Sequence, residues 1–317
     1  MVTSDPSVFT LLFPQAVGTG IIVSSQRSDF SRFPALFGQL STLIEDFEST
    51  FSRFRSDSLI NTAAAHDIDG GPFEISFPSY AADLFDLYDA LFQATSGKVT
   101  PTIADALIRL GYGQSYNSTH ASSSQYSSHR SSQWGTDVWH TGATLHFRRP
   151  AHLDFGAAGK GFLVDLMADI LVQNVDNFTI NAGGDIYTTE ELTIALENPY
   201  DTSQAVGVVH VTEPSALCAS APNRRHWTTA DTHEEVHHLL DGLTGQSVHT
   251  VLASWSLMPT AATRFPTAWA DILSTALFVS SPDQLVSAAP HGWQCARMSD
   301  MKNAQQSVDW PGEFFTR

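Results

Sequence analysis

Two stretches of this 317-residue chain gather side chains that could handle a phosphate. In the first, the run DFGAAGKGFLVD from Asp154 to Asp165, small residues join a strand end to a helix start. Small side chains let backbone carbonyls and amides approach a ligand, a helix start favours anions, and Lys160 adds a point charge. A glycine-rich turn with a solvated lysine is the plainer reading of the same residues. In the second stretch, Asp271 and Thr275 stand four apart and share one helix face, with Ile272, Leu273, Ala276 and Leu277 on the apolar side. A carboxylate and a hydroxyl on one stripe suit magnesium, which takes few protein oxygens beside waters and substrate phosphates. An exposed polar helix face would look the same.

Two further segments sit near turns. Asn181, Gly183, Gly184 and Asp185 follow an apolar strand, where paired glycines either admit a planar ligand or make a hairpin. His237 and His238 lead into a short apolar strand before the turn at Asp241 to Gly245, where a histidine is more often structural than catalytic.

Other matches fail. Gly18-Thr19-Gly20 begins like a dinucleotide fingerprint, but Val23 takes the third glycine position and the tract runs into a strand. Gly156 to Gly161 lacks the four-residue gap and the Ser/Thr of a phosphate loop. His233 to His237 reads HExxH, the zinc-protease pattern, and a zinc hydrolase is the remote alternative. Its flanks leave little room for a helix, and Leu240 and Leu243 occupy the glycine and third-histidine places of the extended pattern.

The elements that must position these residues follow from apolar spacing. Leu40, Leu43, Ile44, Phe47, Phe51 and Phe54 predict one helix, Leu84, Leu87, Tyr88, Leu91 and Phe92 a second, and Leu163, Leu166, Met167, Ile170 and Leu171 a third, all covering a sheet. Strands are expected at 20–23, 178–180, 192–196, 206–211 and 248–253. No regular βαβ rhythm appears, so the fold class is α+β. Residues 114–133 are serine-rich and predict a mobile loop, and 256–266 read as an irregular insert before a helix at Thr267.

With Lys+Arg 16 against Asp+Glu 33 and net charge −17, the chain repels polyanions, which excludes nucleic acid as a main partner. Cys218 and Cys295 lie far apart with no metal or redox spacing and are expected as free thiols. No stretch approaches a bilayer span and no leader is evident, so a soluble, cytoplasmic protein is expected.

In order along the chain, these segments resemble the ApbE family, the FAD:protein FMN transferases. The family's DLGGIAKGYAVD is similar to 154–165, its NxGGD to 181–185, its HIIDPRTG to 238–245 and its ADALATAL to 270–277. Weaker echoes are Val17-Gly18-Thr19 for MGT, 52–58 for SRFxPDS and 97–102 for GAFDPT, so the resemblance covers about 17–279. It implies a single two-lobed domain of mixed, largely antiparallel sheets covered by helices. It also implies Mg2+ held by Gly159, Asp271 and Thr275, and FAD as substrate along Val17, Val99, Thr100, Lys160, Asp165, Gly183, Gly184, Asp185 and His238.

The implied reaction moves FMN from FAD to a threonine hydroxyl of an acceptor flavoprotein and releases AMP. Lys160 would offset developing charge, and His238 is the candidate base, with Asp185 the alternative. Val17 replaces a methionine of the family pattern, Thr100 an aspartate, Leu243 an arginine, and Cys218-Ala219-Ser220-Ala221 its ATSG. Such departures leave FAD pyrophosphatase activity or non-catalytic FAD binding as alternatives. Thr141 to Thr144 (TGAT) resembles the acceptor motif of such enzymes but alternates like a strand leading to Asp154.

Overall fold

The computed structural model describes residues 8–26, 33–113, 132–229, 232–300 and 303–315. Strands β1 (Val8–Phe13) and β2 (Ile21–Gln26) form a hairpin, followed by helices α1 (Phe33–Phe51) and α2 (Leu59–Ala64). Next come β3 (Phe73–Ser76), α3 (Ala81–Ala94) and α4 (Ala104–Arg109), and then the hairpin of β4 (Val138–Thr141) and β5 (Thr144–Phe147). Helix α5 (Gly159–Leu171) leads to β6 (Phe178–Ala182) and β7 (Asp185–Thr188). Strands β8 (Leu192–Asn198) and β9 (Asp201–Val211) form a long hairpin, and β10 (Ser215–Ser220) precedes the small pair β11 (His226–Thr228) and β12 (Glu235–His237). The chain continues through β13 (Ala253–Pro259), α6 (Pro266–Val279), α7 (Pro282–Leu285), β14 (Gln294–Asp300), β15 (Asn303–Gln306) and β16 (Gly312–Phe314).

Eight strands make the main sheet in the order β1-β2-β6-β7-β10-β13-β14-β15, and every ladder in it is antiparallel. Two three-stranded sheets, β16-β9-β8 and β3-β5-β4, flank it, so the α+β class stands. Helices α5 and α6 lie together on the sheet, α5 over β6 and β7 and α6 over β10 and β13. Their apolar faces bury Phe162, Leu163, Val164 and Met167 from one and Ile272, Leu273, Ala276 and Leu277 from the other, each worth about 1–3 kcal/mol. Of the three helices predicted to cover a sheet, α5 does so directly; α1 packs mainly across α5, and α3 against α6, α7 and β4.

The expectation of a strand at 248–253 is corrected, because the strand is β13, Ala253–Pro259, and so includes the first four residues read as an irregular insert. Its six leading residues are all buried because both faces are covered. Trp255 and Leu257 face the cluster formed with β9 and β16, whereas Met258 joins the core under α6. Two serines of this strand are hydrogen-bonded inside: Ser254 Oγ donates to Ser274 O at 2.6 Å and Ser256 Oγ accepts from Trp293 Nε1 at 2.8 Å. The expected loop at 114–133 lies outside the described residues except for its last two. Among the described residues, no helix is long and apolar enough to cross a membrane.

Candidate active site

A cleft of about 1140 Å³ opens between the β1–β2 turn, the start of α5, the β6–β7 turn, the inner face of α6 and the segment after β12. It is slightly larger than the usual range of small-molecule sites, roughly 300–1,000 Å³. Each wall has a local cause. The β6–β7 turn is Gly183-Gly184, both at positive φ (68° and 114°), which a two-residue hairpin of this kind requires. A Cβ on Gly183 would stand 2.8 Å from Thr19 Cβ, so glycine also lets this turn close on the β1–β2 turn. In that neighbouring turn, Val17 itself has φ 46° and its amide donates to Glu48 Oε1 at 2.7 Å, which holds the strained residue in place.

Asp271 projects from α6, which Pro266 starts at its first turn. Its Oδ2 accepts from the Gly161 amide at 3.0 Å, and Lys160 Nζ lies 3.1 Å from both its oxygens and 2.5 Å from Asp185 Oδ2. Two buried carboxylates thus share one ammonium. Burial, and then the charge of Asp185, push the Asp271 carboxyl up, while Lys160 opposes the shift. Burial alone would lower the Lys160 ammonium, but the two carboxylates outweigh it and raise its pKa. One turn beyond Asp271, Thr275 Oγ1 is 3.3 Å from Ser220 Oγ, which is 2.7 Å from Ser274 Oγ. Ser220 is the hydroxyl that remains of the segment 218–221, and it reaches the site.

His238 lies at the cleft wall, where its Nδ1 donates to Arg225 O at 3.3 Å, because a carbonyl can only accept. Nε2 therefore carries the lone pair. Burial, followed by the Arg225 charge, pushes this imidazole down to about 3, so it is neutral at physiological pH.

Val17, Val99, Thr100, Gly159, Lys160, Gly183, Gly184, His238, Asp271 and Thr275 all line the cleft. Asp185 stands behind it, 2% exposed, and reaches it through Lys160. That pairing disfavours Asp185 as a base. Asp165 is not a lining residue: its two oxygens accept from Thr267 N (3.0 Å) and Ala268 N (2.8 Å) and satisfy the buried start of α6. Burial raises its pKa, and these donors oppose the rise. Asp165→Asn turns an NH2 toward one of those amides and is expected to cost about 1–3 kcal/mol in a denaturant melt.

Sequence reasoning gave no role to Arg53, whose Nε is 2.5 Å from Asp154 Oδ2 and whose guanidinium lies over the Tyr112 ring, 4.5 Å from its centroid. Its signal was the 52–58 echo. The HExxH reading is corrected: His233 has φ 55° and Glu235–His237 is a strand paired with β11, so no helix brings the two histidines to one face. Among the described residues, no three His, Cys, Asp or Glu side chains cluster as a metal site. The TGAT segment is the β4–β5 hairpin turn, with Gly142 at φ 56°, and does not line the cleft.

The whole fold has counterparts. It is similar to the crystal structure of the ApbE protein of Thermotoga maritima, with TM-score 0.74 at 17% identity over 95% of this chain and 97% of that one. A second counterpart is the apo flavinyl transferase ApbE of Pseudomonas stutzeri, with TM-score 0.72 at 19% identity over 95% of each chain. In sequence, the chain is 29% identical over 129 residues to the FAD:protein FMN transferase of Klebsiella pneumoniae (strain 342), a match spanning 38% of each protein. The family model described as ApbE family matches residues 18–296. Because that span covers most of the chain and contains both helices that build the cleft, the chain belongs to the ApbE family.

Proposed function

We propose that the protein transfers FMN from FAD to a threonine hydroxyl of an acceptor flavoprotein, with Mg2+, and releases AMP. One observation carries this reading: Gly159 and Lys160 from α5, Asp271 and Thr275 from α6, and His238 line a single cleft. The donor set fits magnesium, since a buried carboxylate and a hydroxyl are hard oxygen ligands and the Asp185-Lys160-Asp271 group carries one negative charge in excess. Gly159, Asp271 and Thr275 would hold the ion, which when bound supplies positive charge to phosphate oxygens.

The chain's own residues do the rest. Val17, Val99 and Thr100 would border the flavin nucleotide, and the Gly183-Gly184 turn lets backbone approach it. In the transfer, the threonine Oγ–P bond forms as the P–O bond to the adenylate breaks. His238 Nε2 takes the threonine proton, and AMP leaves with the bond's electron pair. A phosphate beside His238 would raise its pKa from the low value that burial and Arg225 impose and make it a better base.

The test incubates the protein with FAD, MgCl2 and a recombinant flavoprotein that carries a threonine acceptor site. AMP release together with one FMN mass on the acceptor, both lost with EDTA, is the expected result. AMP with only free FMN would make the protein an FAD pyrophosphatase, and FAD retained without AMP under any divalent metal would make it a binding protein.

A further inference from the structure

Five cationic side chains line the cleft: Arg53, Lys98, Lys160, Arg224 and Arg225. The protein itself occupies four of them. Arg53 is paired with Asp154, Lys160 with Asp185 and Asp271, and Arg224 with Glu197 at 2.6 Å, while Lys98 Nζ donates to Val279 O at 3.0 Å.

Arg225 differs. Its backbone is fixed, because the amide donates to Pro222 O at 3.1 Å and the carbonyl accepts from both the amide and the Nδ1 of His238. Its guanidinium has no hydrogen bond or ion pair with any described residue. Nη2 stands 4.0 Å from the point that a Cβ on Gly18 would occupy, beside the strained Val17-Gly18 turn. The same charge is felt at His238, where it is the second cause, after burial, of the lowered pKa.

A half-buried guanidinium left unpaired in a chain with 33 acidic residues is poised for an external anion. The planar fork of an arginine matches two oxygens of a phosphate.

We propose that Arg225 is an anion-binding residue of this cleft and takes a phosphate of the FAD diphosphate through its guanidinium fork, next to His238. The inference rests on the reading of the cleft as an FAD site. In a chain of net charge −17, long-range attraction cannot recruit an anionic dinucleotide, so a local unpaired cation matters more than the overall field.

The experiment measures flavin fluorescence quenching on titration with FAD, FMN and riboflavin, for the unaltered protein, Arg225→Gln and Arg225→Lys, in EDTA. For Arg225→Gln, the expected result is at least a tenfold rise in Kd for FAD and FMN with riboflavin unchanged, and for Arg225→Lys an intermediate rise. Equal Kd values for FAD in all three proteins would overturn the role of Arg225 and leave the FAD reading intact. Equal losses for riboflavin and FAD would overturn it too, by assigning the side chain to packing. Failure of the unaltered protein to bind FAD or FMN both in EDTA and with MgCl2 would overturn the FAD reading and the inference with it. Thermal melts of both variants serve as the folding control, and Arg225→Lys, which keeps the charge and the stem, carries the test if Arg225→Gln does not fold.

Discussion

Asp271→Asn is expected to lower the rate of FMN transfer by about a hundredfold to a thousandfold, the usual scale for losing one preorganised charge-stabilising group. It should leave the protein folded and close to its original stability, because the amide NH2 placed at the Oδ1 position, 3.1 Å from Lys160 Nζ, offsets part of the relief from removing a buried charge. The two effects separate because of how the carboxylate is held. Asparagine keeps an oxygen where Asp271 Oδ2 accepts the Gly161 amide, so the α5–α6 contact survives. Lys160 retains Asp185 at 2.5 Å, and the buried group changes from one excess negative charge to neutral. That change removes the desolvation and like-charge repulsion that push the Asp271 pKa up. What is lost is the anionic oxygen proposed to hold the metal, and the Mg2+ concentration needed for half-maximal AMP release should rise. Thr275→Val, which removes a neutral donor, should have a smaller effect, about tenfold. An unchanged rate across the whole Mg2+ series in Asp271→Asn would remove this residue from the site. A buried carboxylate kept at a cost to stability is what a functional position looks like.

Much of this site could be read from local sequence because its parts are local. Asp271 and Thr275 share a face through helix geometry alone, and Gly183-Gly184 is a turn through backbone geometry alone. The errors fall where a residue's partner is distant in sequence. Asp165 stands inside the α5 segment and looked like part of the site, but its partners are the Thr267 and Ala268 amides, about a hundred residues away. The β13 serines carry no local sign of burial, because nothing near them in sequence reveals the Ser274 carbonyl or the Trp293 indole that satisfies them. Arg225 gave no signal for the same reason in reverse. That it lacks a carboxylate partner is a property of the fold around it, and the adjacent Arg224, identical in type, is paired with Glu197.

Gly161→Ala is expected to destabilise the protein by about 3 kcal/mol or more and to disable the site at a distance. Its Cβ would lie 2.4 Å from Thr267 O, 2.7 Å from Thr267 C and 2.9 Å from Ala268 N. All three are backbone atoms of the first turn of α6, so no side chain can swing aside, and the two helices must separate by about an ångström to reach ordinary contact. Overpacking of this kind costs about 1–3 kcal/mol. The separation also stretches three buried hydrogen bonds, from the Gly161 amide to Asp271 and from the Thr267 and Ala268 amides to Asp165. Gly38 provides the comparison: it is exposed within α1 with nothing within 4 Å of a Cβ, and Gly38→Ala should stabilise by about 0.5–1 kcal/mol through helix propensity. Urea denaturation of the two variants should therefore move the midpoint in opposite directions. A Gly161→Ala protein with an unchanged midpoint would mean that α5 and α6 are not in backbone contact at this point. The small residue before Phe162 is thus required by helix packing rather than by the approach of a phosphate, and that packing is what brings Lys160 to Asp271.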